Sequence, residues 1–105
     1  AYDNKCAVTR INEPMVLEAA HIEPYSGAAS NVAQNGLLLK SDIHKLFDRG
    51  VLVIQPDLTT MIAPSLQDGP FGIHDGQRIR VPEQQAFRPS PSLLEKHMTS
   101  AMETW

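Results

Sequence analysis

The 105-residue chain has one cysteine, Cys6, which excludes an internal disulfide and any zinc site built from several thiolates. It is short of positive charge: nine Lys and Arg against twelve Asp and Glu leave a formal charge of −3. That balance is a poor basis for holding a polyanion by bulk electrostatics, since such affinity comes from Lys and Arg neutralising phosphates. No apolar run approaches the roughly 20 residues that cross a bilayer, and no signal-peptide pattern opens the chain, so a cytoplasmic setting without membrane contact is the expectation. Also missing are H-E-x-x-H and a serine nucleophile elbow, which removes the commonest signatures of zinc peptidases and of α/β-hydrolases. Internal repeats and low-complexity tracts are absent as well.

What is present is an ordinary apolar content of 42% with 20% charged residues, the composition of a small soluble domain. A chain of this length buries roughly 60 to 65% of its unfolded surface and supports one core rather than two. It starts at Ala1 and enters Tyr2-Asp3-Asn4-Lys5-Cys6 at once, which reads as the C-terminal part of a longer protein.

Along the chain, Asn12-Glu13-Pro14 reads as a turn and residues 15–22 as a strand that delivers His21 at its end. Pro24, Ser26, Gly27, Ser30 and Asn31 mark residues 23–35 as a loop with at most one helical turn. Ser41 suits the N-cap of a helix that begins at Asp42 and stops at Gly50, with Ile43, Leu46 and Phe47 as its buried stripe. Val51 to Ile54 and Thr59 to Ala63 read as two strands joined by a turn at Pro56-Asp57. Gln77 to Val81 is the best short strand of the Gly- and Pro-rich part, and a final helix from about 92 to 103 follows, with Leu93, Leu94, Met98 and Met102 on its apolar side.

The polar residues with a chemical message are His21, Asn35, His44 and Asp48, at intervals of 14, 9 and 4 residues. An i, i+4 pair shares one helix face, so His44 and Asp48 can reach a single divalent cation while His21 comes from another segment. The same pair also reads as no more than a hydrogen-bonded surface couple, and Asn35-Gly36 as a plain turn dipeptide. Phosphodiester hydrolysis needs an activated water, charge neutralisation in the transition state and help for the leaving oxygen. An imidazole serves as the base because its ordinary pKa of about 6.5 leaves it mostly neutral in the cell.

These residues sit in Cys6-Ala7-Val8-Thr9, Ala19-Ala20-His21-Ile22-Glu23-Pro24, Asn35-Gly36-Leu37-Leu38-Leu39 and Asp42-Ile43-His44-Lys45-Leu46-Phe47-Asp48-Arg49-Gly50, four elements in order. In that order they resemble the HNH endonucleases, the ββα-metal nucleases, over about residues 2–54. The resemblance implies an α+β fold: a ββα-metal core over about 2–63, and a C-terminal extension with a further strand pair and a terminal helix over about 64–105, in one domain. It implies a one-metal DNA endonuclease of restriction type, with His21 as general base and Asn35 orienting it through its side chain or backbone carbonyl. His44 and Asp48 would hold one Mg²⁺, Mn²⁺, Ni²⁺ or Zn²⁺ ion, and Arg49 and Lys45 would contact phosphates. It further implies DNA as partner, an N-terminal DNA-recognition domain in the same chain, and a homodimer where both strands are cut.

Two departures from the family pattern stand out. Thr9 occupies the place where many relatives carry the second cysteine of a structural zinc pair, so packing must replace that ion. Ala20 replaces the Asp or His that often supplies another metal ligand. Strand alternation makes Glu18 a poor substitute and puts Glu23 on the His21 side. The rival reading is a noncatalytic nucleic-acid-binding or assembly module that kept the fold; a metal-dependent hydrolase of another substrate is a third. His74, His97 and Cys6 read as structural.

Overall fold

The computed structural model describes residues 2–23 and 33–105. Two antiparallel strands, β1 (Leu17–His21) and β2 (Gly36–Lys40), pair in the register Leu17 to Lys40 and His21 to Gly36. Helix α1 (Ser41–Asp48) follows β2 without a break. A hairpin comes next, β3 (Leu52–Ile54) with β4 (Thr60–Ile62), and the chain ends in helix α2 (Pro91–Met102). The fold is α+β, with a ββα unit, a second strand pair and a terminal helix.

The core forms where these elements share apolar faces. Leu39 of β2, Ile43 and Phe47 of α1, Leu52 and Ile54 of β3, Ile62 of β4 and Leu94 of α2 are all fully or almost fully buried. Ile43 and Phe47 are four apart on α1, which turns one side inward and leaves His44 and Asp48 on the outer side. The helix ends at Gly50, whose φ of +73° is left-handed; its N–H bonds the carbonyl of Phe47, and that of Val51 bonds Leu46.

The N-terminal segment closes without cysteine partners. Cys6 is fully buried, its Sγ accepts the Thr9 N–H at 3.4 Å, and Arg10 N–H bonds the Cys6 carbonyl at 2.9 Å. Ala7 N–H reaches Leu38 O at 2.8 Å, tying this loop to the free edge of β2. Backbone bonds and burial hold this segment without a second cysteine.

Several local expectations change. The strand begins at Leu17, because Pro14–Val16 form a 3₁₀ turn in which the Glu13 carboxylate accepts the Met15 N–H and the Glu13 carbonyl accepts that of Val16. Ser41 is not the N-cap: it is the first helical residue and its hydroxyl donates to Val16 O, since β2 runs into α1 with Lys40 at the cap position. Gln77–Val81 makes one bridge, Thr59 to Arg78. Its hydrogen bonds are split: Gln77 and Ile79 bond the β3–β4 hairpin, whereas Arg80 N–H bonds Ala7 O, so no ladder extends. On α2 the buried row runs through Leu94 and Ala101, and Met102, one residue round the helix, is 41% exposed. Of the loop expected at 23–35, Ala33–Asn35 is a 3₁₀ turn; the expectation for 24–32 falls outside the described residues.

Candidate active site

The β1–β2 register sets the site. His21 ends β1 opposite Gly36, and the residue before Gly36, Asn35, is 3% exposed. Its carbonyl accepts the Ile22 N–H at 2.9 Å, its Oδ1 accepts the Glu23 N–H at 2.8 Å, and its Nδ2 donates to Glu23 O at 3.1 Å. Three bonds thus fix the backbone immediately after His21. A buried amide with both functions paired is a rigid fixture, because leaving either unpaired is costly.

On α1, His44 and Asp48 meet as the i, i+4 spacing requires: His44 Nε2 lies 3.1 Å from Asp48 Oδ2. The other ring nitrogen, Nδ1, lies 2.8 Å from Glu18 Oε1. Glu18 therefore does not share the His21 side, as alternation requires, yet it reaches the helix. The cause is topological: Glu18 pairs with Leu39, two residues before α1 starts, so the early part of β1 lies beside the first turns of the helix. The hydrogen bond to His44 is the chief cause holding the Glu18 carboxyl below the usual carboxylate range.

His21, His44, Asp48 and Arg49 line one groove of about 710 Å³, with Ala19 and Glu23 on the β1 side and Lys96, His97 and Ser100 of α2 on the other. Lys45 lines the adjoining depression, together with Glu18 and Asp42. Asn35 lines neither and is buried immediately before β2. Ala20 is 2% exposed and faces the core, so its position offers nothing to the groove. Among the described residues no group of three or more His, Cys, Asp or Glu side chains is arranged to hold a metal ion.

The α2 wall was not anticipated from the sequence. His97 stacks on Phe47 with ring centres 3.8 Å apart and planes 9° from parallel, and its Nε2–H donates to Phe47 O at 2.9 Å. Burial pushes its pKa below the ordinary histidine value, against the opposing pull of Phe47 O and Asp48. Lys96 pairs with Glu23 at 2.7 Å, linking α2 to the segment after His21. The signal for His97 lay only in its i, i+4 relation to Leu93 and Ala101, the row that lines the groove.

The ββα unit thus gathers two histidines and an aspartate in one groove. Residues 6–55 match the family model described as HNH endonuclease, and the chain is assigned to the HNH endonuclease family on that segment. A solved structure titled "Modification dependent TagI restriction endonuclease" is similar over 94% of this chain, with a TM-score of 0.69 and 22% identity, a likeness of fold. This chain spans 34% of that protein. No curated protein matches it by sequence. No helix among the described residues is long and apolar enough to cross a membrane.

Proposed function

We propose that this chain is a metal-dependent DNA endonuclease domain, the cutting unit of a restriction-type protein. The observation that carries the reading is the convergence of His21, His44 and Asp48 on one groove from two elements. His44 and Asp48 would hold a divalent cation, since a histidine and a carboxylate suit Mg²⁺, Mn²⁺, Ni²⁺ or Zn²⁺ alike. A bound cation supplies charge neutralisation at the scissile phosphate and the leaving oxygen.

The protein's own part is positional. His21 takes the proton of the attacking water, and Asn35 keeps the backbone beyond it from shifting. Arg49 in the groove and Lys45 beside it meet neighbouring phosphates. Because Ala20 faces the core, the protein offers the ion few ligands, so metal affinity in the absence of DNA is expected to be weak.

The whole chain acts as one nuclease unit within a longer protein, with DNA selection, as the net charge suggests, supplied by an N-terminal recognition domain. DNA carrying modified bases is the substrate class suggested by the structural neighbour's title. Cutting both strands calls for two such domains, hence a homodimer, and the setting is the cytoplasm. The test is plasmid cleavage by wild type and His21→Ala with Mg²⁺ or Mn²⁺ against EDTA. Loss of cutting with EDTA and in the variant supports the reading; a wild type that binds DNA but never nicks it favours the noncatalytic module.

A further inference from the structure

We propose that Glu18 is the positioning residue of His44, fixing its tautomer through Nδ1 so that Nε2 presents a lone pair beside Asp48. The inference rests on the nuclease reading and adds a residue to it. An ionised carboxylate only accepts hydrogen bonds, and a neutral imidazole has a single N–H. His44 has carboxylate oxygens at both nitrogens, 2.8 Å from Nδ1 and 3.1 Å from Nε2. One N–H cannot serve both, so the location of the ring proton decides which edge is left to bind a cation.

The structure assigns the proton to Nδ1 on two grounds. The Glu18 contact is the shorter, and it spans 26 residues of sequence, held in place by the β1–β2 ladder and the start of α1 rather than by helix geometry alone. In addition, Asp48 lines both the His21 groove and the adjoining depression, whereas Glu18 lines only the depression, so the Asp48 side of the ring is the one next to His21. Glu18 lies in the adjoining depression and touches the ring from the far side. A carboxylate behind a ligating imidazole orients the ring and raises its basicity, and removing such a partner commonly weakens metal binding about 10- to 100-fold. Glu18 thereby offsets part of what Ala20 cannot provide, without being a ligand itself.

The experiment has two arms on the same three proteins: wild type, Glu18→Gln and Glu18→Ala. In the first, long-range ¹H–¹⁵N correlation spectra without metal, above pH 8, read the His44 tautomer. The expected result is Nδ1–H in wild type and in Glu18→Gln, whose amide oxygen still accepts, and loss of that preference in Glu18→Ala. In the second, calorimetry with Ni²⁺ alone is expected to show affinity reduced about 10- to 100-fold in Glu18→Ala and restored to within a few-fold in Glu18→Gln. An Nε2–H ring in wild type, or a tautomer unmoved in Glu18→Ala, overturns the proposal. So does Ni²⁺ affinity lost equally in both variants, which makes Glu18 a direct ligand. A wild type with Nδ1–H that binds no Ni²⁺ overturns the metal reading instead, and the first arm separates the two failures.

Discussion

His97→Ala removes a residue that lies outside the catalytic pattern yet joins the groove's two walls. The substitution deletes the hydrogen bond to Phe47 O, about 1 kcal/mol, and the stack on the Phe47 ring, about 0.5 to 1.5 kcal/mol, and it opens space beside a buried aromatic. The expected loss is about 2 to 3 kcal/mol, which lowers the midpoint of a domain this size by roughly 10 °C. Urea unfolding followed by fluorescence measures it, because Trp105, the single tryptophan, donates to Gly50 O at 2.7 Å and reports on the contact between the chain's end and α1. A pH series adds a sign test. Burial lowers the folded-state pKa of His97, so its neutral form belongs to the folded protein and protonation favours unfolding. Its contribution is fully present above the ordinary value of 6.5 and is lost as pH falls through the depressed folded value. Wild type therefore loses stability below pH 6.5 relative to His97→Gln, which keeps a donor but does not titrate. A loss under about 0.5 kcal/mol in His97→Ala, or parallel acid curves for wild type and His97→Gln, refutes the reasoning.

Asn35→Ala leaves the partly buried Glu23 N–H and carbonyl without their partner and is expected to cost roughly 1 to 3 kcal/mol by urea unfolding. Cleavage should fall further than Ni²⁺ binding by calorimetry, since His44 and Asp48 stand on another element. Gly50→Ala places a Cβ 3.2 Å from the Ala101 Cβ at a φ of +73°, whereas Gly76→Ala, at +79°, meets nothing within 4 Å. The first is expected to lose about 2 kcal/mol and the second about 1, by the same unfolding assay; equal losses would mean that α2 yields freely.

The elements that announced themselves were those whose local signals agreed with their tertiary setting. The stripe Ile43, Phe47 and the stop at Gly50 marked α1, and β-branched Val51 to Ile54 marked β3. Strand β2 was different: Gly36 to Lys40 carries three consecutive leucines, a run without period, and only the family resemblance implied a strand there. The pairing of His44 with Asp48 was legible because helix geometry fixes i, i+4 neighbours. Contacts that depend on register were not. Glu18 reaches His44 only because Glu18 pairs with Leu39 just before the helix, and His97 reaches Phe47 only because α2, packed on β3, passes the C-terminal end of α1. Alternation correctly separated Glu18 from the His21 face but says nothing about what lies on the other side.

The most direct test of the central claim is the rate at which His21→Ala converts supercoiled plasmid to nicked or linear product in Mn²⁺ or Mg²⁺, beside wild type and an EDTA control. The account predicts cutting by wild type that EDTA abolishes, and a rate in the variant lower by about 10²- to 10⁴-fold with Ni²⁺ binding unchanged. A variant that cuts as fast as wild type would contradict it, because the imidazole at the end of β1 would then not be the base.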